Sequence, residues 1–214
     1  MIGFLGGTGP EGRGLALRFA LAGESVIIGS RSADRAEEAA RSVAQHVPEG
    51  TIRGSLNLEA AAQGDIVFVA VPYAGHRATL DSLRDALDGK VVVDVVAPLA
   101  FKGGRASALR VDEGSVALEA QAVLGGSIVV GAFQNISAGD LLVPQQKIDS
   151  DVIVCADDAA ARERVIGLAN LIDGVRGVDG GGLQNARYVE DFTAMLLNIN
   201  RIYGAHSTIK IVGI

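Results

Sequence analysis

The chain has 214 residues, of which 49% are hydrophobic and 21% charged, with a formal net charge of −6. That length suits one large unit with a small appendage, and the composition suits an α/β protein whose parallel strands are apolar on both faces. Without a Lys/Arg cluster there is no broad basic surface for a phosphate backbone, and the longest apolar runs fall short of the roughly 20 residues that span a bilayer. The composition therefore excludes nucleic acid and membrane as partners and points to a cytoplasmic protein. A single cysteine, Cys155, has no disulfide partner and reads as a packed thiol. His46, His76 and His206 lack metal-ligand spacing, so no metal is expected.

In chain order, residues 1–5 read as a strand, followed by a glycine-rich turn, a helix to Ala22 stopped by Gly23, and a second strand over 25–29. Ser32 is placed to cap a helix running to about Gln45, and Pro48, Glu49 and Gly50 break the pattern. A short helix is expected over 57–63, a β-branched strand over 65–71, a helix bearing Leu80, Leu83 and Leu87, and a strand over 90–96. Residues 97–113 carry Pro98, Gly103 and Gly104 with little periodicity and read as a loop across the mouth of the sheet. A helix over 115–124 and a strand over 127–133 complete an alternating βα series.

This series predicts a Rossmann doubly wound parallel sheet over residues 1–140. Residues 141–214 predict a small α/β C-terminal extension: a strand over 151–155, a helix capped by Asp157 or Asp158, a strand over 175–178, and a long final helix stopped by Gly204.

Gly7, Gly9 and Gly12 form G-x-G-x-x-G directly after a strand and at the start of a helix, the context in which the motif signals a dinucleotide. The first glycine permits the tight turn, the second lets the backbone reach the pyrophosphate, and the third lets helix and strand pack closely. Pro10 fits the first helical turn, and Thr8 and Glu11 complete the loop. Binders of NAD place a carboxylate at the end of the second strand. Here stand Ser30, Arg31 and Arg35, which suit the 2′-phosphate of NADP.

Tyr73 and His76 follow a strand end, where open α/β sheets bind ligands, and either also suits packing on the next helix. For Arg187 and Glu190, three apart, a local ion pair is the default expectation. Asn198 and Asn200 read as polar-face residues of the last helix.

The motifs as a set resemble the F420-dependent NADP oxidoreductases from end to end. They are Gly-Gly-Thr-Gly at 6–9 with Gly12 and Gly14, Gly29-Ser30-Arg31, Val71-Pro72-Tyr73, Val-Val-Asp-Val-Val-Ala-Pro at 92–98, and Gly-Leu-x-Asn-x-Arg-x-Val-Glu at 182–190. The resemblance implies hydride transfer between the nicotinamide of NADP(H) and the deazaflavin coenzyme F420, with the rings stacked. It assigns Thr8, Ser30, Arg31 and Arg35 to NADP, with Val71, Pro72, Tyr73, Ala97 and Pro98 toward the nicotinamide. Gln134, Asn135, Ile136, Ser137 and Ala138, together with the last helix, would hold the deazaflavin. Some members carry His-Thr-Ile-Pro where this chain has Gln134 to Ser137.

Direct hydride transfer needs proximity and orientation rather than an acid or base, so no catalytic side chain is expected. Two other readings remain open: an NADPH-dependent reductase of a flavin, an imine or a small carbonyl compound, and a non-enzymatic NADPH-binding sensor. Carbonyl reduction wants a positioned proton donor, and residues 183–203 contain no lysine. The apolar final helix offers a face for a homodimer.

Overall fold

A computed structural model describes residues 1–48 and 51–214; Glu49 and Gly50, part of the expected break after the second helix, lie outside the described residues. Six parallel strands form the main sheet: β1 (Ile2–Leu5), β2 (Val26–Ser30), β3 (Ile52–Leu56), β4 (Ile66–Val69), β5 (Val91–Asp94) and β8 (Ile128–Gly131). Their order is β3-β2-β1-β4-β5-β8. Starting at β1, the chain winds outward one way through β2 and β3, then crosses back to β4 and winds the other way. The crevice above β1 and β4 is thus the switch point at which such sheets bind ligands. The register Val26–Ile2–Ile66–Val91–Ile128 runs straight across five strands.

Both faces of the sheet are covered, which is why its strands are apolar throughout. Helices α1 (Pro10–Leu21), α2 (Ala33–Ala44) and α7 (Ala159–Asn170) close one side over a core containing Leu15, Val43, Val165 and Leu168. Four phenylalanines stack at its centre, with Phe4–Phe68 ring centroids 5.0 Å apart and Phe68–Phe133 5.6 Å. Helices α3 (Asn57–Gln63), α4 (His76–Leu87) and α5 (Val116–Val123) close the other side over Leu80, Leu87, Val116 and Val123.

Three elements differ from expectation. The edge strand β3 was not expected: Arg53, Gly54 and Ser55 interrupt its apolar character, and only Ile52 and Ser55 turn inward. Residues 97–113 are not all loop. They contain an antiparallel hairpin, β6 (Leu99–Lys102) and β7 (Arg105–Ala108), whose two-residue turn is Gly103-Gly104, both with positive φ, the backbone that two-residue hairpin turns favour. Helix α6 (Ala138–Leu141), capped by Ser137, was not expected; it starts at Ala138, the last residue of the expected binding strand end 134–138.

Strands β9 (Ser150–Val154) and β10 (Val175–Asp179) pair in parallel. They join the main sheet through reciprocal Gly131–Cys155 backbone bonds, each 2.9 Å. Cys155 is fully buried, and burial pushes its thiol up to about 11. Helix α8 (Ala186–Tyr203) ends at Gly204 in the left-handed region. The remaining chain runs back along β9, where Asp151 N donates to Ile209 O and Arg176 donates to both Asp151 carboxylate oxygens.

Arg18 ties α1 to the C-terminal part. It is 4% exposed, and its guanidinium donates to the carbonyls of Asp140, Leu141, Val143 and Gln146 at 2.7–2.9 Å. Asp140 O and Val143 O also accept from Val143 N and Gln146 N, so Arg18 reinforces successive turns of this segment and fastens them to α1. Among the described residues no helix is long and apolar enough to cross a membrane.

Candidate functional site

The glycine-rich turn forms because the chain must reverse between β1 and α1 within a few residues. Gly6 supplies the left-handed backbone (φ 66°), so the tight turn begins one residue before the motif's first glycine. A Cβ on Gly12 would stand 2.5 Å from Gly7 Cα, so helix and turn can meet only here. Gly9 caps α1 with no side-chain partner, and a Cβ there would meet nothing within 4 Å. The first turn of α1 therefore faces open space with unclaimed N–H groups, which suits a pyrophosphate. Gly6 N donates to Asn57 Oδ1 (3.1 Å), a contact of the turn that the sequence did not reveal.

Beside the turn, Thr8 and Arg35 line one pocket with Arg13, Glu38, Ala39 and Ser42. Arg13 was not anticipated; its Nε is buried without a partner. Ser30 is buried and accepts from Ser32 N, while Arg31 is exposed and does not line this pocket. The helix cap at Ser32 holds Arg35 at the start of α2, facing Thr8.

A second cleft of about 420 Å³ opens next to the helix start. The residues Gln134, Asn135, Ile136, Ser137 and Ala138 line it together with Glu11, Ala97, Thr193, Leu196 and His206. Phe133 aims this segment: it holds a left-handed backbone (φ 72°), uncommon for a bulky residue, with its ring locked in the phenylalanine cluster. The chain consequently leaves β8 turned toward α8.

There Gln134 Nε2 donates to Asp94 O (3.0 Å), and Asn135 Nδ2 donates to Val189 O and Thr193 Oγ1, both 2.9 Å. Asn200 accepts from Ser207, which holds the C-terminal residues as one wall of the cleft. Asn198 is bonded both ways to the backbone of Ala106 and carries the hairpin.

Val71 is buried under the turn, Pro72 begins a short 3-10 turn over Tyr73–Gly75, and Tyr73 is half-buried with its ring 6.4 Å from that of His76. Pro98 is buried and lines a neighbouring pocket with Arg110, Arg187 and Glu190 rather than the main cleft.

His76 offers no free nitrogen. Its Nε2 meets Asp94 at 2.6 Å and its Nδ1 meets Glu119 at 3.0 Å, all in the interior. Burial alone would lower its pKa, but the Asp94 and Glu119 carboxylates outweigh this and raise it to about 9, so the ring is an imidazolium at neutral pH. Neither carboxylate was anticipated; an aspartate ending the apolar strand β5 was the available signal. Glu190 does not pair with Arg187. It accepts from Val116 N (2.7 Å) and Ala117 N (3.1 Å), and Arg187 lies over the Tyr188 ring. Burial pushes Glu190 up to about 7 despite these two bonds.

The sheet order and the open helix start define a Rossmann-type, dinucleotide-dependent protein with a second cleft beside the glycine turn. Residues 1–98 match the family described as NADP oxidoreductase, coenzyme F420-dependent. An F420-dependent NADP reductase of Methanothermobacter thermautotrophicus is 42% identical over 205 residues, 93% of this chain and 88% of that one. One of Methanocaldococcus jannaschii is 41% identical over 213 residues, 97% and 95% of the two chains. A crystal structure of a candidate F420-dependent NADP-reductase from Arthrobacter sp. FB24 superposes with a TM-score of 0.83 at 27% identity, over 99% of both chains. The chain belongs to the F420-dependent NADP oxidoreductase family.

Proposed function

We propose that the chain is an oxidoreductase that transfers a hydride between NADP(H) and the deazaflavin coenzyme F420. The observation that carries this reading is the meeting of two ligand surfaces at the start of α1: the open glycine turn on one side, and on the other a slot walled by Val95, Ala97, Ile136 and Leu196. NADP(H) supplies or takes the hydride, and F420 is its partner.

The chain's own residues bind, orient and exclude water. The N–H groups of the first turn of α1 hold the pyrophosphate, with Gly7, Thr8, Gly9, Pro10 and Gly12 shaping the approach. Thr8, Arg13 and Arg35 hold the 2′-phosphate, with Ser30 and Arg31 at its margin. Val71, Pro72, Tyr73 and Ala97 bound the nicotinamide end, with Pro98 behind them. The buried amides of Gln134 and Asn135, fixed through their nitrogens, turn acceptor oxygens toward a planar ring, and Ile136, Ser137 and Ala138 complete that wall. No side chain need act as nucleophile or base.

Within this reading residues 1–140 are the NADP-binding domain, and residues 141–214 are the substrate-side part that closes the cleft. The outward face of α8, with Tyr188, Met195 and Ile202 exposed, supports a homodimer. A free, buried Cys155 fits a reducing, cytoplasmic setting.

The test is to mix the purified protein with NADPH and oxidised F420 and follow the deazaflavin absorbance, with FMN and FAD in parallel. Bleaching of F420 at catalytic protein concentrations, with the flavins inert, is expected. Tight NADPH binding with no bleaching would overturn the assignment of the acceptor.

A further inference from the structure

Three buried side-chain oxygens in this region have no partner: Glu11 Oε1, Gln134 Oε1 and Asn135 Oδ1. All three residues line the one cleft. Asn135 has spent both N–H donors of its amide on the protein and Gln134 one of its two, and each keeps an acceptor oxygen without a partner. A bound ring with a carbonyl beside its N–H also needs a donor. The Thr193 hydroxyl is directed at the carbonyls of Gln134 and Val189, whereas Ser137 Oγ accepts from Asp140 N and keeps its own O–H, and Asn200 is held through its oxygen by Ser207.

Glu11 is a further candidate donor. It sits in the first turn of α1 with no hydrogen bond to its carboxyl among the described residues, and burial pushes it up to about 8. The titratable group that the other cleft elements bring to this space is His206, from the C-terminal residues, whose Nδ1 is 2.8 Å from Asp140 of α6. On α1 itself, Arg13 faces the neighbouring Thr8–Arg35 pocket and Arg18 is bound to the carbonyls of 140–146. Helix α8 and the segment after β5 contribute only uncharged residues to the lining: Thr193, Leu196, Leu197 and Asn200, and Val95, Ala97 and Leu99.

We propose that Glu11, as a neutral carboxyl, is a ligand-binding group of the cleft: it donates its O–H to a ring carbonyl of the bound coenzyme, while Gln134 and Asn135 accept from ring N–H. The proposal rests on the coenzyme reading above and adds to it a pH-dependent donor. Once ionised, the same carboxyl becomes a third acceptor facing a ligand carbonyl, and binding weakens.

Two measurements on the full-length protein test this. In the ligand-free protein, carboxyl NMR with Glu11→Gln to assign the signal should show Glu11 titrating near 8 rather than near the ordinary 4.5. Dissociation constants for oxidised F420 and for NADP+, each alone, are then measured from about pH 6.5 to 9.5. Wild type should hold steady at the lower end and weaken toward about tenfold per pH unit above about 8, whereas Glu11→Gln stays flat relative to it. The rise appears with F420 if the deazaflavin is the acceptor of the bond, and with NADP+ if the nicotinamide is.

Parallel profiles for the two proteins with both coenzymes, or a Glu11 that titrates near 4.5, would overturn the proposal. Failure of both proteins to bind F420 at any pH would instead overturn the acceptor assignment, and the NADP+ series would still decide the role of Glu11.

Discussion

The buried His76 should stabilise the fold through its charge, and His76→Gln isolates that charge because it removes the cation while keeping a donor. The pKa rises from 6.5 unfolded to about 9 folded. At about 1.4 kcal/mol per unit, this shift corresponds to about 3 kcal/mol, in line with the cost of stripping one partner from a buried ion pair. Because the folded state holds the proton more tightly than the unfolded chain, the contribution is complete below about pH 6.5 and fades as pH rises through about 9. Urea unfolding of wild type and variant at about pH 6, 8 and 10 reads this directly. Other groups that titrate in both proteins, Glu190 among them, cancel in the difference. The gap should be about 3 kcal/mol at the lowest pH and shrink by most of that at the highest. A gap that does not change with pH would mean a neutral ring, and the reasoning from Asp94 and Glu119 would fail.

Two further substitutions probe the scaffold of the site. Arg35→Ala should weaken NADP+ binding by roughly ten- to a hundredfold, the value of one charge-assisted contact, with little effect on NAD+. Arg31→Ala should do less, since Arg31 stands outside the Thr8–Arg35 pocket; calorimetry with both dinucleotides checks the order, and equal losses for NAD+ and NADP+ would refute the 2′-phosphate assignment. Arg18→Met removes the side-chain donor of four carbonyls, two of which, Asp140 O and Val143 O, keep a backbone partner, and should cost about 3 kcal/mol. Limited proteolysis should then cut within residues 140–146 before the protein unfolds globally.

What was legible in the sequence, and what was not, follows from how far apart the cooperating residues lie. The glycine turn, Pro10 and the cap at Ser32 act on backbone within four residues of themselves, so their meaning was local and their elements form where expected. The apolar strands likewise declared a sheet covered on both faces. Strand β3 escaped because an edge strand may carry Arg53 and Ser55, which bond to Gln63 and Glu59 of α3 rather than fill a core. The hairpin escaped because Gly103-Gly104 was read as irregularity when two adjacent glycines can also form its turn.

At the site the missing information was long-range. Glu190 looks like half of an i,i+3 pair until α5 is seen to begin on it, 74 residues away in sequence from Val116. His76 suits either a ligand contact or packing on the next helix until Asp94 and Glu119 claim both its nitrogens. Gln134 and Asn135 were legible as binding residues only through the family resemblance, because what makes them acceptors is the engagement of their nitrogens by Asp94 O, Val189 O and Thr193. Asp94 connects these two facts. Its side chain grips His76 and its carbonyl grips Gln134, so the buried charge cluster and the ring-binding amide share one residue at the end of β5. Loosening the cluster should therefore reach the cleft through the backbone at that position, and a protein whose chemistry depends on the separation of two rings has reason to keep it rigid.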